Sequence, residues 1–245
     1  MRNGAVSLWP TAPGAERRGL ALGGLSSFST VDFPGRLAAV LFTQGCPLAC
    51  RYCHNPHLRP RRAAVERDWA GTLAWLARRR GLLDGVVVSG GEPTVQYGLA
   101  EALAQIRALG FATGLHTAGV NAHVLAQTLP LLDWVGFDVK APFAGYEAVV
   151  GHPGSGAAAR RALTVLLASG VDYEVRTTIH PALLGRAELI TLARDLRGMG
   201  VRRWVLQAFR QEGCQDASLL AQPRMISFQT LLPELEEFVP SIVVR

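Results

Sequence analysis

The chain has 245 residues, 49% hydrophobic and 18% charged, with a mean hydropathy of +0.19, enough apolar mass for one buried core without disulfide staples. No stretch approaches the ~18 uninterrupted apolar residues of a membrane-spanning helix, and segment 1–22 carries charge and proline where a secretory signal needs a continuous apolar run, so a cytoplasmic protein without a membrane partner is expected. The net charge of +6 admits an acidic partner, but the arginine groups at 59–62 and 78–80 have no interleaved aromatic platforms, so they read as solvated faces and nucleic acid is not the expected partner.

In chain order, residues 1–22 read as a flexible arm and 23–245 as one domain. Short runs rich in β-branched residues predict strands over 38–42, 86–89, 112–116, 134–139, 173–179 and 203–208. Between them, three-and-four spacing of apolar residues predicts helices over 69–80, 98–109, 122–129, 156–169 and 187–199. Such alternation makes a parallel sheet. Six units of this kind suit a doubly wound sheet or a partial (β/α)6 TIM-like barrel. The polar and glycine-rich segments all follow strand ends and would gather on one face, which favours the α/β partial barrel. A closing helix and a short extended tail are expected over 228–244.

The first of these strands runs into Gln44-Gly45-Cys46-Pro47-Leu48-Ala49-Cys50-Arg51-Tyr52-Cys53-His54-Asn55-Pro56, which places three thiols on one tight loop. Thiolates are soft ligands suited to iron, and a cubane held by three of them keeps its fourth iron open to another molecule. The alternative is a zinc knuckle completed by His54 or His57, but such sites normally pair two ligand turns from separate parts of the chain. The remaining cysteine, Cys214, is remote in sequence and reads as a small buried hydrophobe. Lys140 is the single lysine among 25 basic side chains. Arginine is tolerated at every other basic position, so Lys140 marks a site that wants a compact ammonium.

The C-x3-C-x2-C spacing with an aromatic residue before the third cysteine resembles the radical S-adenosylmethionine (SAM) superfamily. The resemblance implies a 4Fe-4S cluster on Cys46, Cys50 and Cys53, with SAM chelating the open iron and yielding a 5'-deoxyadenosyl radical on reductive cleavage. It also implies cofactor-binding roles. Gly90, Gly91 and Glu92 would meet the methionine ammonium, Asp138 the ribose or ammonium, and Lys140 the carboxylate. Tyr52 would pack on adenine, and Arg176 and Arg210 would make a second cationic contact to cofactor or substrate.

Three strings narrow the likeness: Ser29-Thr30-Val31-Asp32-Phe33-Pro34-Gly35, Phe42-Thr43-Gln44-Gly45-Cys46 and Tyr52-Cys53-His54-Asn55-Pro56. They resemble the glycyl-radical-enzyme activating proteins, first those of anaerobic ribonucleoside-triphosphate reductase and next those of pyruvate formate-lyase. This implies a large glycyl radical enzyme as partner, with flavodoxin or ferredoxin as electron donor. His116-Thr117-Ala118-Gly119 departs from the Asp-Thr-Asn-Gly turn of the pyruvate formate-lyase relatives, and Arg210 stands where they carry histidine. Rival expectations are a radical SAM enzyme for deazapurine synthesis or tRNA modification, and a non-enzymatic Fe-S or zinc module. The activating role requires a lateral opening lined by the cysteine loop, Arg176 and Arg210.

Overall fold

The computed structural model describes residues 19–62, 68–222 and 228–245. Most of the segment read as an arm lies outside the described residues. At its described end Leu20 and Leu22 are buried, and Leu22 already begins a strand.

Eight strands form one sheet in sequential order: β1 (Leu22–Ser29), β2 (Ala38–Thr43), β3 (Gly85–Gly90), β4 (Ala112–Thr117), β5 (Trp134–Asp138), β6 (Asp172–Ile179), β7 (Arg203–Ala208) and β8 (Ser241–Val244). β1 runs antiparallel to β2, and every later pair is parallel. The helices are α1 (Trp69–Ala77), α2 (Leu99–Ala108), α3 (Ala122–Thr128), α4 (Tyr146–Val150), α5 (Ser155–Ser169), α6 (Arg186–Gly198), α7 (Ala217–Leu220) and α8 (Phe228–Glu236). The six expected strands are β2 to β7, and the fold is the expected partial (β/α)6 barrel, extended by one strand at each edge.

Two strands escaped the sequence reading for different reasons. β1 is Leu-Gly-Gly-Leu-Ser-Ser-Phe-Ser, without the β-branched residues that mark a strand. Its glycines permit close approach, since a Cβ on Gly23 would run into the side chains of Gln44 and Leu58. β8 is the expected extended tail, but it pairs with β7 from Arg203↔Ser241 to Leu206↔Val244.

Alternation along the strands sorts residues between two cores. Ala39, Leu41, Val86, Val88, Val135, Phe137, Trp204 and Leu206 face the helices in the large core. Ala38, Val40, Val87 and Trp134 face the lumen, where Phe33 joins them and stacks on Trp134 with centroids 5.8 Å apart. Phe33 thus plugs the barrel. Gly85 and Gly114 make room for its ring, which a Cβ at either position would crowd. Above it, toward the C-terminal ends of the strands, successive inward positions turn polar: Ser89, His116, Asp138, Arg176, Thr178 and Gln207. These polar rungs underlie the site.

Candidate cluster and cofactor site

The cysteine loop leaves β2 and is pinned along its length. Gly45 and Cys46 donate their amides to the carbonyls of Leu58 and Arg59 at 2.7 and 3.0 Å. Ala49 and Arg51 donate theirs to Val150 and Val149 at the end of α4, at 2.7 and 3.1 Å. A five-residue helix is too short to stand alone; α4 is held by burying Tyr146, Val149 and Val150. The Gln44 side-chain amide donates to His57 and Pro60 carbonyls, closing the base of the loop.

Cys46, Cys50 and Cys53 line one cavity of about 260 Å³ together with Tyr52, Gly90, Gly91, Glu92, Asp138, Lys140 and Arg176. Every sequence-predicted site residue except Arg210 is therefore gathered in one place. Burial pushes the Cys46 thiol up to about 12 and raises Cys50 as well. Such thiols are poor free nucleophiles, and they give up their protons to a strongly cationic metal group. Among the described residues no three His, Cys, Asp or Glu side chains close around the point a single ion needs. Three soft thiol ligands on one loop are a donor set suited to an iron–sulfur cluster.

His54 does not turn toward the thiols; its Nε2 lies 3.0 Å from the Arg210 carbonyl, and its ring stacks on Phe209. His57 is exposed. His180 is buried against the Leu219 carbonyl, at 3.1 Å. Cys214 is buried, with Sγ 3.6 Å from the Arg51 carbonyl, so it packs on the back of the cysteine loop.

The Gly-Gly turn closes β3 onto that loop. Gly90 has φ +115, and a Cβ there would strike the Thr43 backbone. A Cβ on Gly91 would strike the backbone of Gly45 and Leu58. The freedom these glycines supply is thus spent first on bringing two protein segments together, with Gly91 donating to Thr43 and Glu92 to Gly45 at 2.8 and 2.9 Å.

Glu92 is 1% exposed, and its carboxylate is occupied by the protein. It accepts from the amides of Thr94 and Ala118 at 3.0 and 2.8 Å and from the hydroxyls of Thr94 and Thr117 at 2.6 and 2.5 Å. Its observed bonds tie the β3 turn to the end of β4. Glu92→Ala would strand four donors in a buried cavity, and we expect a loss of about 3 kcal/mol in chemical unfolding of the metal-free protein.

Opposite the thiols, Asp138 sits between two cations. Arg176 Nε donates to Oδ1 at 2.9 Å, and Lys140 Nζ lies 3.4 Å from Oδ2. Burial alone would raise this carboxyl, but Arg176 and then Lys140 hold it at about 2, ionised throughout. Burial also works against the Lys140 charge, yet the neighbouring acidic groups, Tyr52 and then Asp138, carry its pKa well above the usual lysine value. The ammonium lies 5.7 Å from the Tyr52 ring centroid. Arg176 fits because Gly136 has no side chain, as a Cβ there would overlap the guanidinium. Among the described residues the Tyr52 hydroxyl is buried without a hydrogen-bond partner, an orphan that a ligand filling the cavity would satisfy.

Sequence reasoning missed Asp32, Ser89, His116, Thr178 and Gln207, which share the cavity. His116 Nε2 lies 2.9 Å from the Asp32 carbonyl; burial and then Arg176 push its pKa down to about 4, so the neutral ring donates there. This bond ties segment 29–35 to the end of β4. Period-two spacing from Arg176 was the available signal for Thr178. Arg210 itself is exposed and lines a neighbouring cavity of about 380 Å³.

The Radical SAM superfamily model matches residues 40–188, more than half of the chain. A Methanocaldococcus jannaschii protein named a putative glycyl-radical enzyme activating enzyme is 25% identical over 91% of this chain and 94% of its own length. The PqqA peptide cyclase of Gluconobacter oxydans is 35% identical over 68% of this chain, which spans only 48% of that relative. A Staphylococcus aureus pyruvate formate-lyase-activating enzyme is 39% identical over 38% of this chain and 39% of its own. Among solved structures, Streptococcus suis SuiB bound to precursor peptide SuiA has a TM-score of 0.62 at 12% identity, covering 84% of this chain and 48% of that one. Native anSMEcpe with bound AdoMet gives 0.60 at 13% identity, over 82% and 62%. At such identities the two structures speak for the fold.

Proposed function

Because this chain belongs to the radical SAM superfamily, we propose that it activates a glycyl radical enzyme, removing one hydrogen atom from a glycine of that partner. The observation that carries the reading is the likeness to the Methanocaldococcus jannaschii protein along nearly the whole of both chains. The strings at 29–35, 42–46 and 52–56 direct the choice of partner to anaerobic ribonucleoside-triphosphate reductase, with flavodoxin or ferredoxin as electron donor. The family implies a 4Fe-4S cluster and SAM, which when bound supply one electron and the 5'-deoxyadenosyl fragment that takes the hydrogen atom.

The residues of this chain fit those groups in distinct ways. Cys46, Cys50 and Cys53 hold the cluster as thiolates, and the backbone pins of the loop fix their spacing. Lys140 presents a compact charge to the cofactor carboxylate. Asp138, held in orientation by Arg176, accepts from the cofactor ammonium or ribose hydroxyl. Tyr52 and Leu48 keep an apolar wall beside the thiols, which limits water at the site.

Lys140→Ala should weaken SAM binding by about 2 kcal/mol in titration calorimetry while iron content is kept, the scale of a charge-assisted contact removed from a partly dry site. An unchanged affinity would remove Lys140 from the cofactor. The function itself is tested by incubating the reduced, cluster-loaded protein with SAM and an anaerobic ribonucleoside-triphosphate reductase. A glycyl radical signal in electron paramagnetic resonance is expected. Stimulation of SAM cleavage by tRNA or a nucleotide, with no such signal, would end the activating reading.

A further inference from the structure

The second cavity, of about 380 Å³, is continuous with the first: both are lined by His54, Asn55, Thr178 and Gln207. Thr178 and Gln207 are register partners on β6 and β7, so their side chains stand side by side on the lumen face. They lie one inward rung beyond the Asp138↔Arg176 pair. Asn55 faces them from the end of the cysteine loop.

The side chains of Asn55, Thr178 and Gln207 are half-buried, yet none makes a hydrogen bond among the described residues. Their neighbours behave otherwise. Thr177, on the other face of β6, gives its hydroxyl to the Val139 carbonyl at 2.7 Å, and Thr117, Thr113 and Thr43 are all bonded. Gln44 and Gln96 spend their amides on main-chain carbonyls. Three polar groups left free at the junction of two cavities are therefore available to a ligand.

We infer that Asn55, Thr178 and Gln207 are positioning residues that hydrogen-bond the main chain of an extended polypeptide and so deliver its glycine to the cluster cavity. The inference rests on the activating function proposed above and names how its substrate is held. A side-chain amide offers a donor and an acceptor in one plane, as a neighbouring strand does, and an extended chain presents such groups every ~3.3 Å. Glycine adds no side chain at the narrow junction, so its backbone can come close. The three groups are neutral, while Arg210, Glu212 and Arg245 also line the second cavity.

The test uses the cluster-loaded enzyme with SAM and a ten-residue peptide copied from the glycine-bearing segment of an anaerobic ribonucleoside-triphosphate reductase. Thr178→Val and Gln207→Leu should each raise the peptide KM at least tenfold while the maximal rate changes far less, and Thr178→Ser, which keeps the hydroxyl, should restore the wild-type KM. N-methylation of the amides flanking the glycine should raise KM on the wild type and add little on the two variants. Unchanged KM in both variants, with the wild type still responding to the peptide, overturns the inference and leaves the activating function standing. A wild type that ignores the peptide and its parent reductase alike overturns both.

Discussion

Replacing any one of Cys46, Cys50 and Cys53 with alanine should abolish SAM cleavage, and the iron bound after anaerobic reconstitution should fall from about four per chain toward zero. The three thiols hang on one loop whose backbone is already pinned by Leu58, Arg59, Val149 and Val150, so the loop should keep its shape while the proposed cluster loses a ligand. Cys214 lies against the back of the same loop and accounts for no corner; Cys214→Ala should retain iron and cleavage. Iron analysis and the visible absorption of the reconstituted proteins decide the matter. Loss of iron in Cys214→Ala together with its retention in Cys50→Ala would refute the ligand assignment.

Gly90→Ala should be as severe, through the fold rather than the metal. Gly110 serves as the internal control, with φ +89 and no atom within 4 Å of an added methyl, against φ +115 at Gly90 and the Thr43 backbone in the way. Positive φ alone costs an alanine about 1 kcal/mol, which is the expectation for Gly110→Ala. At Gly90 the obstructing atoms are main chain of the adjacent strand, which cannot rotate aside, and the total should reach on the order of 3 kcal/mol. Displacing Thr43 also moves the cysteine loop, so the variant should assemble less cluster. Chemical unfolding of both metal-free variants and iron analysis of both reconstituted ones provide the comparison. Equal costs at the two glycines would mean that backbone conformation, and not close approach, explains the Gly-Gly turn.

Much of this site was legible in one dimension because its chemistry is local. Three thiols within eight residues must share a loop whatever the fold does, and two glycines after a β-branched run must end a strand in a turn. Strand-helix alternation required a parallel sheet, with the polar segments after the strand ends gathered on one face. The solitary lysine was visible by count, and the structure seats it beside Asp138 and Tyr52 in the cavity.

Only the tertiary structure decided the rest, since it depends on contacts between residues far apart in sequence. β1 lacks β-branched residues and is a strand through its pairing with β2; β8 is the extended tail that pairs with β7. Glu92, which the resemblance places at the cofactor, also accepts from Thr117 and Ala118, 25 and 26 residues on, a contact that no local pattern shows. Arg210 was expected to contact cofactor or substrate, and it lines the adjoining cavity and not the one that holds the cysteines. His116 and the 29–35 segment come together across 84 residues through one hydrogen bond. Sequence spacing determines which groups are available and on which side of a strand they stand; which of them remain unpartnered is decided by packing, because a hydrogen-bonding group is free only if nothing folded against it supplies its partner.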